Sequence, residues 1–438
     1  MDNYLKYYDV SPRVVPANKS SIITIRGIFP NSELPPAEQM RIKCFPMSGF
    51  LPEGSNSCQV ADYPPIKWRM DGDTVKAEIF FAGEQEHNLH IEFINAEKDV
   101  VLTRRFQIFS LQPDLLALTP LKGDFHVHSC RSDGREAPVY VAARYREAGF
   151  DFMAVTDHHR YAPSLEAINF WRQQPTELKL FPGEEVHSPG NPVHIINFGS
   201  SFSVNDLAAS QEEQYRREVA EIADGLPDYP GQDKFPIAAS EWVFDKIRAG
   251  GGLCVFCHPY WKTNRYMINE SLTDAIFARK KFDAFELLGG YYKSESESNN
   301  LQVVRYIAEC ARGNRFPVVG LSDSHGTDTG NLFNWYYTIV LAESDEFESI
   351  KNAIKSFHSV AVEAIEGQTA NIYGDFRIVR YVDFLFREYF PLHQAICAPE
   401  GKLMLELAAN FAPESAAAAL SALRGRVTKL REKFFQRN

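Results

Sequence analysis

The stretch FHVHSCRSDGREAPVYVAARYREAGFDFMAVTDHH, residues 125–159, contains one full cycle of a repeating plan. FHVH reads as a short apolar strand, PVYVAARYREAG as a helix and FMAVTDH as the next strand. Both strands end in ionisable residues: His126 and His128 close the first, Asp157 and His158 the second. Period-two alternation puts His126 and His128 on one face of their strand and Val127 on the other.

The plan continues outward. LKLFPGEEV, VHIINFG, GLCVFCHP, DAFELLGG and FPVVGLSDSH are further apolar strands, interleaved with helical stretches such as SLEAINFWRQQ, SEWVFDKIRAG and LQVVRYIAECARG. Such alternation predicts an α/β region with a parallel sheet, either open or closed into a barrel. YYTIVLA and the helix-like EFESIKNAIKSFHSVAVEA finish it near residue 365. Residues 1–118 have a different texture. SSIITIRGIF, TVKAEIFFAG, HNLHIEFINA and VVLTRRFQIF are short strands separated by turn residues, which predicts an all-β, sandwich-like domain. His87 and His90 in that domain are expected to be packed or exposed without a chemical role. Residues 366–438 predict a helical C-terminal appendage, with a coiled-coil or homo-oligomerising role as the alternative. The expected division is therefore 1–118, 119–365 and 366–438.

Charge and composition narrow the partners. The chain has 57 acidic against 46 basic residues, a net charge of -11, which argues against non-specific nucleic-acid binding. No leader-like N-terminus and no apolar run of membrane-spanning length is present in the sequence, and the seven cysteines are scattered and odd in number. The expectation is a cytoplasmic protein with no membrane association. Cys254 and Cys257 form a lone C-x-x-C inside an apolar run and are expected to be buried structural thiols.

The chemistry concentrates at strand ends. Six of the twelve histidines (126, 128, 158, 194, 258 and 325) fall there, joined by Asp157, Glu184, Glu185 and Asp323. Residues at the carboxyl ends of barrel strands converge on one mouth. Imidazole and carboxylate donors without a required thiolate suit manganese, iron or zinc in a catalytic site.

The ordered series HVHSCRSDG, TDH, PGEEV, VHIINFG, CHP and SDSH resembles the PHP family, the polymerase-and-histidinol-phosphatase phosphoesterases, over residues 121 to about 365. The resemblance implies a distorted seven-stranded β/α barrel binding two or three divalent ions (manganese, iron or zinc). It implies His126, His128, Asp133, His158, Glu185, His194, His258, Asp323 and His325 as metal ligands. His126, His128, Glu185 and Asp323 would hold one ion, with Glu185 bridging to a second held by His194 and His258. Asp133, His158 and His325 would hold a third. The family spacing selects His158 over His159 and Glu185 over Glu184. Glu185, Asp323 and His159 are the candidate catalytic residues, His159 as a contact rather than a ligand.

The activity implied is hydrolysis of a small phosphate ester, such as a nucleotide or sugar phosphate, by a metal-activated hydroxide. Alternatives are an exonuclease-like phosphodiesterase acting on nucleic-acid ends, or a binding protein whose barrel only senses metal. Asp157, Glu184 and Asp124 are expected to accept ring N–H groups from ligand imidazoles. Arg131, Arg160, Lys262 and Arg265, with Arg135 and Lys293 further out, are candidates to meet the substrate phosphate. Tyr260, Trp261, Tyr291 and Tyr292 are candidates for an aromatic wall, and the insertion 199–240 for a lid.

Overall fold

The computed structural model describes residues 7–48, 63–229, 231–262, 264–328 and 331–437. Cys58 and the first six residues, on which part of the cysteine and leader readings rested, lie outside the described residues. The chain separates into two compact units: the described residues of 1–118, 380–393 and 425–438, and those of 119–379 and 394–424. The helical C-terminal region is thus shared between the units.

The first unit contains two four-stranded sheets around one apolar core. Ile23, Ile25, Val75, Ala77 and Phe81 come from one sheet, and Ile42, Leu89, Ile91, Phe106 and Ile108 from the other. Alternation along Thr74–Phe81, buried at every second residue, is the sequence pattern made physical.

The second unit is a mixed α/β assembly. One sheet runs Lys179–Leu180, Phe152–Met153, Thr119–Asp124, Tyr336–Ala342, Ser359–Glu363 and Asn371–Gly374 in spatial order. The other runs Gly183–Val186, Ile195–Phe198, Leu253–Phe256, Ala284–Leu288 and Val318–Gly320. Neither sheet is purely parallel, in contrast to the sequence expectation. Ile195–Phe198 is antiparallel to both neighbours, and Tyr336–Ala342 is antiparallel to Thr119–Asp124. No helix separates Gly183–Val186 from Ile195–Phe198, and a connection that short allows only an antiparallel return.

Strands of both sheets share a core in which Phe125 stacks on Phe198 with ring centroids 4.2 Å apart. Each fully buried ring of this kind contributes about 1.5–3 kcal/mol. Two isolated parallel bridges, Val127 to Ser324 and His158 to Glu185, add to these sheets. The insertion read as lid-forming is a helical layer instead. Val204, Ala208, Tyr215 and Val219 from its helices Val204–Ser210 and Glu212–Asp224 are buried in the core that also holds Ile195 and Phe256. No helix among the described residues is long and apolar enough to cross a membrane.

Candidate metal centre

All nine residues of the expected donor set meet at these strand ends. His126 Nε2 lies 3.2 Å from Asp323 Oδ1 and 3.6 Å from Glu185 Oε1, and His128 Nε2 lies 2.9 Å from Asp323 Oδ1. Glu185 Oε1 also faces His194 Nδ1 at 2.8 Å and His258 Nε2 at 3.5 Å. Towards the surface, Asp133 Oδ2 sits 3.4 Å from His158 Nε2 and 3.2 Å from His325 Nε2. The inner group is buried, whereas the Asp133 side chain is 55% exposed, so the cluster grades from a dry floor to an open rim.

Backbone geometry is unusual at the same points. His159, His258 and Asp323 have φ of 58°, 20° and 53°, a region that L-residues with side chains rarely occupy. Such conformations persist where the surroundings over-determine them, as at functional sites. Glycine makes room nearby: a Cβ on Gly134 would come within 2.6 Å of the His128 carbonyl oxygen, so only glycine lets the Asp133 loop turn back onto the strand.

Whether a metal fits is decided by the donors' unmet bonding. His126 Nε2, both ring nitrogens of His128 and His194, both oxygens of Glu185 and Asp323 Oδ1 are buried with no hydrogen-bond partner among the described residues. A buried polar atom left unpaired costs about 1–3 kcal/mol, and more when charged. So many orphans converging within ion-binding reach fit divalent cations, and several triplets have donor atoms within 4.8 Å of one another. Charge balance agrees. Burial works to raise the Glu185 carboxyl, but the imidazoles of His194 and His126 hold it well below the usual carboxylate range. Asp323 is likewise buried yet held well below its usual range by His126 and His128.

The carboxylates expected to orient the imidazoles do other work. Asp157 accepts four bonds: from the N–H groups of Ser129 and Ser132 at 2.9 and 3.1 Å, and from their hydroxyls at 2.6 and 2.5 Å. It therefore fixes the loop that carries Asp133. Glu184 accepts from Asn197 Nδ2, Ser203 Oγ, the Val204 N–H and Asn205 Nδ2, tying its strand to the helical insertion. Asp124 accepts from Tyr145 Oη and from the N–H groups of His126 and Ser322. The imidazole is met by Glu286, whose Oε2 lies 2.7 Å from His126 Nδ1. That pairing directs Nε2 of His126 at the cluster. The sequence reading missed Glu286 because it stands alone in the apolar strand Ala284–Leu288, with its partner 160 residues away.

His187 was missed as well. It follows Glu185 by two positions, the same spacing as His126 and His128, and lies between His158 and His194. An open cleft of about 510 Å³ in front of the cluster is lined by Arg131, Asp133, His158, His159, Arg160 and His187. Arg131 holds Glu166 through two bonds of 2.9 and 2.8 Å. Lys262 is paired with Glu297 at 2.6 Å, Arg265 is exposed, and neither lines this cleft. Of the expected aromatics, Tyr260 and Tyr291 are packed, while the Trp261 ring lies 6.2 Å from that of His194. Cys254 and Cys257 are buried thiols, and burial holds both well above the usual thiol range.

The chain is similar to PHP-like metal-dependent phosphoesterases. One such structure is a two-domain Bacteroides vulgatus protein containing a predicted PHP-like metal-dependent phosphoesterase: 20% identity over 56% of this chain and 65% of that one, TM-score 0.38. This chain therefore spans slightly less than two thirds of that protein. A Bifidobacterium adolescentis protein, also assigned by prediction as a metal-dependent phosphoesterase, matches at 19% identity over 48% of this chain and 89% of that one, TM-score 0.32. An amidohydrolase from Chromobacterium violaceum, with sulfate bound and no metal, matches at 18% identity over 47% and 87%, TM-score 0.28. No family model and no curated relative matches the sequence.

Proposed function

We propose that the chain is a metal-dependent hydrolase that cleaves a small phosphate ester in the cleft in front of the donor cluster. The observation that carries this reading is the convergence of orphaned, buried imidazole and carboxylate atoms on the floor of a cleft with a cationic rim. The two bridges, Val127 to Ser324 and His158 to Glu185, support a distorted seven-stranded barrel in which the two sheets close on each other at the site.

Two or three divalent ions of manganese, iron or zinc, held by the nine donors, would supply charge neutralisation for phosphate oxygens and water of lowered pKa. The chain's own residues supply the rest. Glu286 keeps the His126 imidazole aimed at the cluster, and Asp157 holds the Asp133 loop closed over it. Arg160 and His159, on the rim of the cleft, meet the non-bridging oxygens of an entering phosphate. Arg131 is already committed to Glu166, and Lys262 to Glu297, so their expected phosphate contacts are not part of this reading. The partner in this reading is a small molecule in a cytoplasmic setting, since a net charge of -11 argues against non-specific nucleic-acid binding.

The test is release of p-nitrophenol from its phosphate ester with added manganese, in wild type and in His126→Ala and Asp323→Ala. Loss in both variants supports the assignment, and retained activity in both sinks it. A panel of mononucleotides, bisphosphates, sugar phosphates and short oligonucleotides then separates a phosphomonoesterase from a nuclease.

A further inference from the structure

Glu185 presents its two oxygens to different neighbours. Oε1 faces His194, His258 and His126, all of them in the nine-residue set. Oε2 faces His158 Nδ1 at 2.5 Å, His128 Nε2 at 3.5 Å and His187 Nε2 at 3.4 Å. His187 Nε2 is also 2.9 Å from His158 Nδ1. His187 belongs to none of the three ion positions that the family pattern implies.

We propose that His187 is a tenth donor, and that its Nε2, His158 Nδ1 and Glu185 Oε2 form a further divalent-cation position at the mouth of the cleft. The proposal rests on reading the cluster as metal-binding. Two donors about 2.0–2.1 Å from one ion lie roughly 2.8–3.4 Å apart at angles between a right angle and the tetrahedral value. The His187–His158 and His187–Glu185 separations fall at this span. The His158–Glu185 approach is shorter than this span and would have to lengthen around an ion.

Two further observations favour a ligand over a packed histidine. Glu185 is fully buried, and its Oε2 is faced by the ring nitrogens of His158, His187 and His128 without a hydrogen bond of good geometry among the described residues. The strand end that presents His187 is also clamped. Asn205 Oδ1 accepts the His187 N–H at 2.9 Å, while Asn205 Nδ2 donates to the Glu185 carbonyl at 2.9 Å and to Glu184 Oε2 at 3.0 Å. Two imidazoles and one carboxylate are the donor set of an open, three-ligand zinc position. The His187 side chain reaches the cleft, so the open side faces an incoming phosphate.

His158 makes the position a switch point. Its Nε2 faces Asp133, whose Oδ2 also meets His325, whereas its Nδ1 faces Glu185 and His187. A neutral imidazole donates through one nitrogen at a time. The exposed Asp133 position and the sheltered Glu185 position are therefore alternatives for a single ion.

Zinc titration of the chelator-stripped full chain, with equivalents counted by elemental analysis, tests this. His187→Ala and His325→Ala should each keep the wild-type number of zinc ions, since either position can take the ion. The double variant should lose one equivalent. His187→Gln keeps a hydrogen-bonding group but a poor metal donor, and should behave as His187→Ala. The proposal is overturned if the double variant binds as many zinc ions, and as tightly, as His325→Ala, or if His187→Gln in the His325→Ala background keeps the equivalent that the double variant should lose. A wild-type chain that takes up no zinc, manganese or iron overturns the metal reading itself as well.

Discussion

Two pairs of buried histidines on strands, one in each unit, look alike in sequence and behave in opposite ways. His87 and His90 lie on the strand Gln85–Ile94, and His126 and His128 just beyond Thr119–Asp124. All four are almost inaccessible to solvent. His87 has what a buried imidazole needs: its Nε2 meets Ser110 Oγ at 2.9 Å and its ring sits edge-on to Phe81. Burial pushes the pKa of His87 down to about 4, so it stays neutral. His126 and His128 instead face Glu185 and Asp323 through Nε2 atoms that have no hydrogen-bond partner among the described residues. Burial therefore does not mark a site. Unpaired donors facing unpaired anions do.

The contrast can be broken by experiment, most severely at the anions. Glu185→Ala or Asp323→Ala should lower turnover of p-nitrophenyl phosphate by at least about 10³-fold, since charge stabilisation by bound ions is worth several kcal/mol. The matched change in the other unit, His87→Gln, should leave both turnover and metal content unchanged. An equal loss in the two would erase the distinction.

Glu286→Gln should weaken metal binding about 10- to 100-fold, read by competition with a chelator, because the neutral amide no longer fixes the His126 ring. Arg160→Ala should raise KM for a phosphate ester roughly tenfold, as expected for losing one charge-assisted hydrogen bond. Lys262→Ala, which removes an exposed pair with Glu297, should change KM less than about fivefold.

A further effect concerns pH and stability. With His87 near 4 when folded and 6.5 when unfolded, its contribution to stability is fully present above pH 6.5. It is lost as pH falls through 4, because the unfolded chain takes the proton first, for a total of about 3 kcal/mol. Urea transitions of the full chain at pH 7, 5.5 and 4.5 should fall less steeply in His87→Gln than in wild type. Identical slopes would mean that the His87 ring is not held neutral.

Much of this was legible in the residues, for identifiable reasons. The strand ends of the second unit could be found because apolar runs of four to six residues stop at His, Asp or Glu, and period two places His126 and His128 on one face. The same period links Glu185 to His187, a signal present in GEEVH but overshadowed by the family pattern. The direction of Ile195–Phe198 was not legible in its own residues, since an apolar strand reads the same in parallel and antiparallel pairings; only the short connection before it carries that information. Nor were the roles of Asp157 and Glu184, because which donors surround a carboxylate depends on where distant loops return.

By itself, then, the sequence determined the kind of donors available and that they sit at strand ends, because side-chain chemistry and periodicity are local properties. Only the tertiary structure decided which donors are left unpaired. That depends on the neighbours brought in by chain segments far apart: Ser110 for His87, Glu286 for His126, and Asn205 for the strand end that carries His187.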